Sequence, residues 1–181
     1  MATRAAGNIF GIQTGNLETG QSLQEMFAQL SNTPGSSKDS KHEGWMDIVT
    51  ATVGVSQSTS AHTGGGSGVG RADFKALQLV KYVDKATPNL MQHCATGKHL
   101  DQLVLSVCKA GGTQQEYFKI TLKEVFVTDV QLVSNTESPR MMEQVSMSYG
   151  YISMDAKDQN ADGSLGAAVT ASYNVKENKR A

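Results

Sequence analysis

Charge is scarce in this sequence. Only 18% of its 181 residues are Asp, Glu, Lys or Arg, against about 25% in an ordinary soluble protein. Lys and Arg number 16 and Asp and Glu 17, a net charge of −1, which offers no field to hold nucleic acid or anionic lipid. Nucleic-acid binding and membrane insertion are therefore not expected, and more of the surface than usual must be covered by Gly, Ser, Thr, Asn and Gln. Cysteine is nearly absent: Cys94 and Cys108 are too few for a disulfide scaffold and form no redox motif, so both are expected as reduced, mostly buried thiols. No run approaches the ~18 apolar residues of a membrane span. Residues 1–10 contain Arg4 but lack the apolar stretch of about 7–15 residues that a secretory signal needs. The chain is thus expected to be made in the cytoplasm, with any export by a route that needs no cleaved signal. What remains is enough chain for one core, burying roughly two-thirds of the unfolded surface.

Apolar residues recur mainly with period two, and many are β-branched. In residues 45–55, Trp45, Val49, Ala51, Val53 and Val55 share one face, and Met46, Ile48, Thr50, Thr52 and Gly54 the other. This reads as one long strand with its aromatic and aliphatic face on the core. Residues 72–83 read as a second, with Phe74, Ala76, Val80 and Tyr82 opposite Asp73, Lys75, Leu77, Leu79 and Lys81. Further strands are expected over residues 103–109, 117–122, 124–133, 144–154 and 169–175. About seven such strands imply a barrel or a sandwich. Residues 84–97 break the pattern. Thr87 stands as N-cap, Pro88 at the first helical position, Leu90, Met91 and Cys94 on one packing face and Gly97 as the stop, giving a helix of about 8–10 residues. Between the first two strands, residues 56–70 are rich in Gly and Ser and have no apolar period; loops of this length are functional or disordered.

Catalytic and metal-binding patterns were weighed in turn. His93, Cys94 and His99 lie close in sequence, but adjacent helical residues point about 100° apart and zinc needs three or four converging ligands. A buried Cys94 with partly exposed histidines is the plainer reading. Asp158, Asn160, Asp162 and Gly163 imitate the first half of an EF-hand loop, yet Val169 stands where the bidentate Glu is required, so a polar turn before the last strand is expected. The glycines of residues 64–70 do not satisfy a phosphate-cradle motif, Gly97-Lys98 is followed by His99, and around Ser67 a nucleophile elbow is missed by one position because Val69 stands where its second Gly is needed. No enzyme and no cofactor are expected.

Four blocks of this sequence, from Glu25 to Arg180, closely resemble the Hcp family, the haemolysin-coregulated tube proteins of bacterial type VI secretion. The first is Met26-Phe27 with Pro34-Gly-Ser-Ser-Lys-Asp-Ser-Lys-His42, where Ser36 replaces the family's usual Glu. The second is Val55-Ser-Gln-Ser58 leading into Gly64-Gly-Gly-Ser-Gly-Val-Gly70. The third runs Lys81-Tyr-Val-Asp-Lys-Ala-Thr-Pro-Asn-Leu-Met91 through Cys94, Gly97-Lys-His99 and Lys119-Ile-Thr-Leu-Lys-Glu-Val125. The fourth is Val145-Ser-Met-Ser-Tyr149, with the tail Gly163-Ser-Leu-Gly166. The resemblance implies a mainly β fold, a barrel of two packed sheets with one short flanking α-helix over residues 25–181, preceded by an extension over residues 1–24. The first barrel strand then falls at residues 26–30 rather than 8–13. It further implies a homo-hexameric ring, rings stacked into a tube, a contractile sheath and spike tip protein as partners, effector proteins carried in the lumen, and secretion without a cleaved signal. A contractile-phage tail-tube protein shares this architecture, and a secreted carbohydrate- or Ca²⁺-binding β-module is the reading from another class.

If that resemblance holds, residues 56–70 are the one free segment long enough to reach a neighbouring subunit. Ser56, Gln57, Ser58, His62, Gly64, Gly65, Gly66, Ser67 and Gly68 are then candidates for subunit and ring contacts, the alternative being a disordered tip. The small uncharged face of residues 45–55 suits a water-filled conduit, making Thr50 and Thr52 candidates for the lumen wall, the alternative being outer solvent.

Overall fold

The computed structural model describes residues 8–9, 12–13, 24–57, 71–110, 114–134, 140–160 and 162–181. Near the amino terminus β1 (Asn8–Ile9) and β2 (Ile12–Gln13) form a minimal hairpin outside the main sheet. The barrel begins with β3 (Gln24–Leu30), as the spacing to His42 suggests. It continues with β4 (Met46–Thr52), β5 (Val55–Ser56), β6 (Asp73–Phe74) and β7 (Leu77–Tyr82). Then come α1 (Thr87–Thr96), β8 (His99–Lys109), β9 (Gln115–Val133), β10 (Met142–Gln159), β11 (Leu165–Asn174) and β12 (Lys179–Arg180). The main sheet runs β12-β11-β10-β7-β4-β3-β8-β9, and β9 also pairs with β10, which closes the six strands from β10 to β9 into a barrel. Closure removes most of the open edge that a flat sheet would leave.

A coordinated step divides the barrel into two sheets. Leu100 and Leu103 of β8, Leu122 and Val125 of β9, and Tyr149 and Ile152 of β10 are all buried in one core cluster, and they pair across the strands. Inward residues therefore recur after three positions here instead of two, and the intervening pairs Asp101-Gln102, Lys123-Glu124 and Gly150-Tyr151 lie on the outer side. Glu124 takes φ +54° to make the step. Opposite it, a side chain at Gly150 would place its Cβ 2.2 Å from a Glu124 carboxylate oxygen. The sequence reading split this strand at Lys123; the chain stays paired but bends there. Beyond the step, the second half of β9 and the first half of β10 pair with each other, and β10 pairs there with β7, while the second half of β10 pairs with β11.

The strand expected over residues 45–55 differs from its simple alternation. Met46 and Ile48 are buried in the core and Val49 only partly so. The register against β7 shifts between Ile48 and Thr50, and after this bulge Ala51 and Val53 pack on the core instead. One extra residue exchanges the two faces of a strand, so the predicted core face is reversed before the bulge and holds after it at Ala51 and Val53, whereas Val55, expected on the core, is 57% exposed. Residues 53–54 then interrupt the ladder, and the ribbon resumes as β5 with β6. The strand expected over residues 72–83 is likewise two, β6 and β7.

The helix spans Thr87–Thr96 and stops at Gly97, φ +60°, where a left-handed residue without a Cβ is least strained. Its N-cap is Ala86, with no side-chain cap. Thr87 is needed elsewhere: its hydroxyl accepts from the Asp84 amide and donates to Glu143. Leu90 is fully buried, but Met91 is 46% exposed, because the face turned to the barrel runs through Thr87, Leu90, His93 and, in part, Cys94. Of the two free thiols, Cys108 is buried and Cys94 half-buried. His42 and His93 are both buried, where partly exposed histidines were expected, and Cys94 is less buried than expected.

Candidate functional site

The family-like blocks build structure at two places on the barrel. The first lies inside it, where Leu77, Leu79 and Lys81 of β7 face Met147, Val145 and Glu143 of β10. Lys81 and Glu143 are as buried as the leucines beside them. Lys81 Nζ lies 2.6 Å from Asp84 Oδ1 and 2.6 Å from Glu143 Oε1 and donates to the Tyr82 carbonyl. Thr87 Oγ1 donates to the same Glu143 oxygen at 3.0 Å. Asp84 in turn accepts from the Ala86 and Ser36 amides. A buried ammonium is tolerable only when its donors are all used, and here they are. The hint in the sequence was Lys81 itself, a charge on the same face as Leu77 and Leu79.

The second place is the outer face of β3 and β8, covered by residues 31–45. Phe27 stacks on His42 with ring centroids 4.2 Å apart, and His42 meets Trp45 edge-on. His42 Nδ1 lies 2.8 Å from Asp39 Oδ1. Burial disfavours the charged form of Asp39, but hydrogen bonds from His42, the Lys41 amide and Gln114, with the His42 charge, outweigh it and hold the carboxyl below its ordinary 3.8. Helix and loop are joined by His93 Nε2, 3.1 Å from Thr33 Oγ1. Since the Thr33 hydroxyl donates to the Ser31 carbonyl, the His93 N–H is the donor to Thr33. Burial, then the nearby Lys98 charge, pushes the His93 pKa below 6.5. Burial also raises the Cys108 thiol, helped by Glu116, Asp39 and Glu25, which makes it a poor nucleophile.

These arrangements position structure; none joins a nucleophile to a base. Among the described residues no three His, Cys, Asp or Glu side chains come together as a metal site. Residues 158–160 and 162–164 make the expected polar turn: the Asn160 amide donates to the Ser164 carbonyl, and Gly163 takes φ +85°.

Of the candidates for assembly, Ser56 and Gln57 are exposed at the end of the ribbon made by β4–β5 and β6–β7. Ser58, His62, Gly64, Gly65, Gly66, Ser67 and Gly68 lie outside the described residues. The base of the ribbon is fastened to the barrel. Phe74 meets Tyr173 at 5.0 Å, Tyr149 Oη donates to the Lys75 carbonyl, and Arg71 donates to the Val175 carbonyl. Thr52 is exposed and Thr50 half-buried, both on the side of β4 turned away from the core. Their register extends across the sheet: Thr50 pairs with Val80, Thr52 with Gln78, and Val80 with Gln144. Ser146, Ser148 and, on β9, Asp129 and Gln131 follow on that face. No local pattern signals this wider face, because it joins strands far apart in the chain.

Comparison with known proteins agrees with this architecture. Residues 27–155 match the family described as "Type VI secretion system effector, Hcp". The sequence is 40% identical over 159 residues to Protein hcp1 of Pseudomonas aeruginosa, covering 87% of this chain and 98% of that protein. Hcp1 from Salmonella typhimurium, a crystal structure, superposes with a TM-score of 0.73 at 25% identity, over 88% of this chain and 100% of the other. A structure described as that of a type six secretion system protein reaches a TM-score of 0.82 at 21% identity, over 87% and 99% of the two chains. The family match over residues 27–155 and a relative 40% identical over 87% of this chain show that it belongs to the Hcp family of type VI secretion proteins.

Proposed function

We propose that the protein is the structural subunit of a type VI inner tube: six copies close a ring, rings stack, and effector proteins travel in the lumen. A contractile sheath drives the tube and a spike protein tips it. Export in this form needs no cleaved signal, and the subunit is a wall rather than a catalyst.

The observation that carries the reading is the outer face of β4, β7, the first half of β10 and the second half of β9. Thr50, Thr52, Gln78, Gln144, Ser146, Ser148 and Gln131 make it mainly polar and nearly uncharged; Asp129 carries a charge, and Val80, buried between Thr50 and Gln144, and Phe126, opposite Ser148, are its apolar members. A wall of this chemistry neither traps cargo by charge nor offers a large apolar patch. It supports the lumen assignment of Thr50 and Thr52. After its bulge, β4 pairs with β7 and, among the described residues, with no strand on its other side. Ser56 and Gln57, exposed at the end of this ribbon, support the assignment of subunit contacts to this part of the sequence. Heterologous contacts of this kind close rings.

The test is the mass in solution with end-on views by negative-stain electron microscopy. A species near six times 19.3 kDa with an open centre supports the tube, and a 19.3 kDa particle at micromolar concentration overturns it.

A further inference from the structure

One strand has neither face covered and one edge open. In β11, residues 167–171 are all exposed, Val169 at 74%. One edge pairs with β10; along the other, β12 reaches only Tyr173 and Asn174, and the Ala181 amide donates to the Ser172 carbonyl. Since Ser172 points its backbone groups away from β10, the two-residue alternation of a strand turns those of Thr170 and Ala168 the same way. Among the described residues nothing pairs with them. No residue from Leu165 to Asn174 is charged, so the edge lacks the lysines and prolines that protect exposed strands from pairing. On the paired side, Thr170 Oγ1 donates to Asp155 Oδ1 of β10 at 2.5 Å.

We propose that β11 is a self-recognition edge, pairing antiparallel with β11 of a second copy about a two-fold axis at Val169. In this register the N–H and C=O groups of Ala168 bond those of Thr170 in the other copy, and Val169 packs on its own counterpart. Ala167 and Ala171 flank it, small enough for close approach. Charge complementarity selects a second copy over an arbitrary peptide. Asp158 and Asp162 outnumber Lys157 at one end of the strand, and Lys176, Lys179 and Arg180 outnumber Glu177 at the other. Antiparallel pairing sets these ends side by side, with Asp162 near the level of Lys176 of the other copy. A two-fold contact cannot propagate around a ring, so this edge joins one assembly to another and is independent of ring closure.

The experiment compares the intact wild type with Ala168→Pro and Val169→Cys. Proline at position 168 removes an N–H that bonds nothing among the described residues, which an edge strand accommodates. Its unfolding midpoint should therefore match wild type, while the association between assemblies seen by light scattering is lost. Cysteines at position 169 would face each other with Cα atoms about 4.5 Å apart, within disulfide reach. Mild oxidation should give a disulfide-linked dimer on a non-reducing gel that wild type, with Cys94 and Cys108, does not give. The proposal is overturned if Ala168→Pro folds normally and leaves the association unchanged. It is equally overturned if Val169→Cys links only when mixed with Thr52→Cys, which would mean that β11 meets β4 of a neighbour. Failure of the tube reading would look different: monomers and β11-linked pairs without rings.

Discussion

Gly35 and Lys81 are the residues with least freedom to change. A Cβ on Gly35 would lie 2.2 Å from the Trp45 carbonyl oxygen and 2.6 Å from the Met46 nitrogen, and backbone at both points is held by the turn. The Gly35 amide donates to Gly44 and the Ser37 amide to Trp45. Gly35→Ala should therefore lower stability by about 2 kcal/mol or more, read as a shift in the urea midpoint. For Lys81 the argument is electrostatic. Lys81→Met strands the buried Glu143 carboxylate and should cost about 3–5 kcal/mol, whereas Lys81→Met with Glu143→Leu should recover most of that loss. A double-mutant cycle by urea unfolding measures the coupling, and additivity of the two single losses would refute it.

At the scale of elements, the helix packs on residues 31–45 through buried His93, which donates to Thr33, and this packing is pH-dependent because charging the buried ring is unfavourable. The folded pKa of His93 lies below its ordinary 6.5, so the unfolded chain binds the proton more readily. Its contribution is complete above 6.5 and is lost as pH falls through the folded value. Comparing urea midpoints at about pH 7.5 and 5.5, wild type should weaken more on acidification than His93→Gln, whose side chain does not titrate; parallel losses would dismiss the role. Elements were the most legible level in the sequence. Pro88 and Gly97 marked the helix, and alternation marked the strands. The misplaced faces came from single residues that carry no sequence signature, the bulge at Val49 and the positive φ of Glu124. Thr87 was misjudged because its partner, Glu143, is remote in the chain.

For the whole molecule, the lumen assignment makes a separate prediction. Thr52 is exposed, and its side chain supports nothing in the core, so Thr52→Arg should leave rings intact in electron micrographs while reducing co-purification of effectors. Unchanged cargo binding would move Thr52 to the outer surface. The motif blocks made the family legible without revealing the site. They hold Lys81, Asp84 and Thr87 of the interior network and much of the loop over Phe27, residues that shape this barrel, while Glu143 lies outside them. The neutral face instead belongs to scattered Thr, Gln and Ser positions that only strand pairing brings together.

The buried pair of Lys81 and Glu143 also resolves a degeneracy of alignment. Strands β7 and β10 carry the same inward alternation, so sliding one past the other by two residues would keep every apolar side chain inside and cost the hydrophobic pattern little. That slip would set Lys81 against Val145, or Glu143 against Leu79, and leave two uncompensated charges in the core. The ion pair thus acts as a key that fits one alignment of the seam. Since β10 continues into the edge with β11, and β7 into the ribbon beyond Phe74, one interior contact sets the reach of both outward-facing ends.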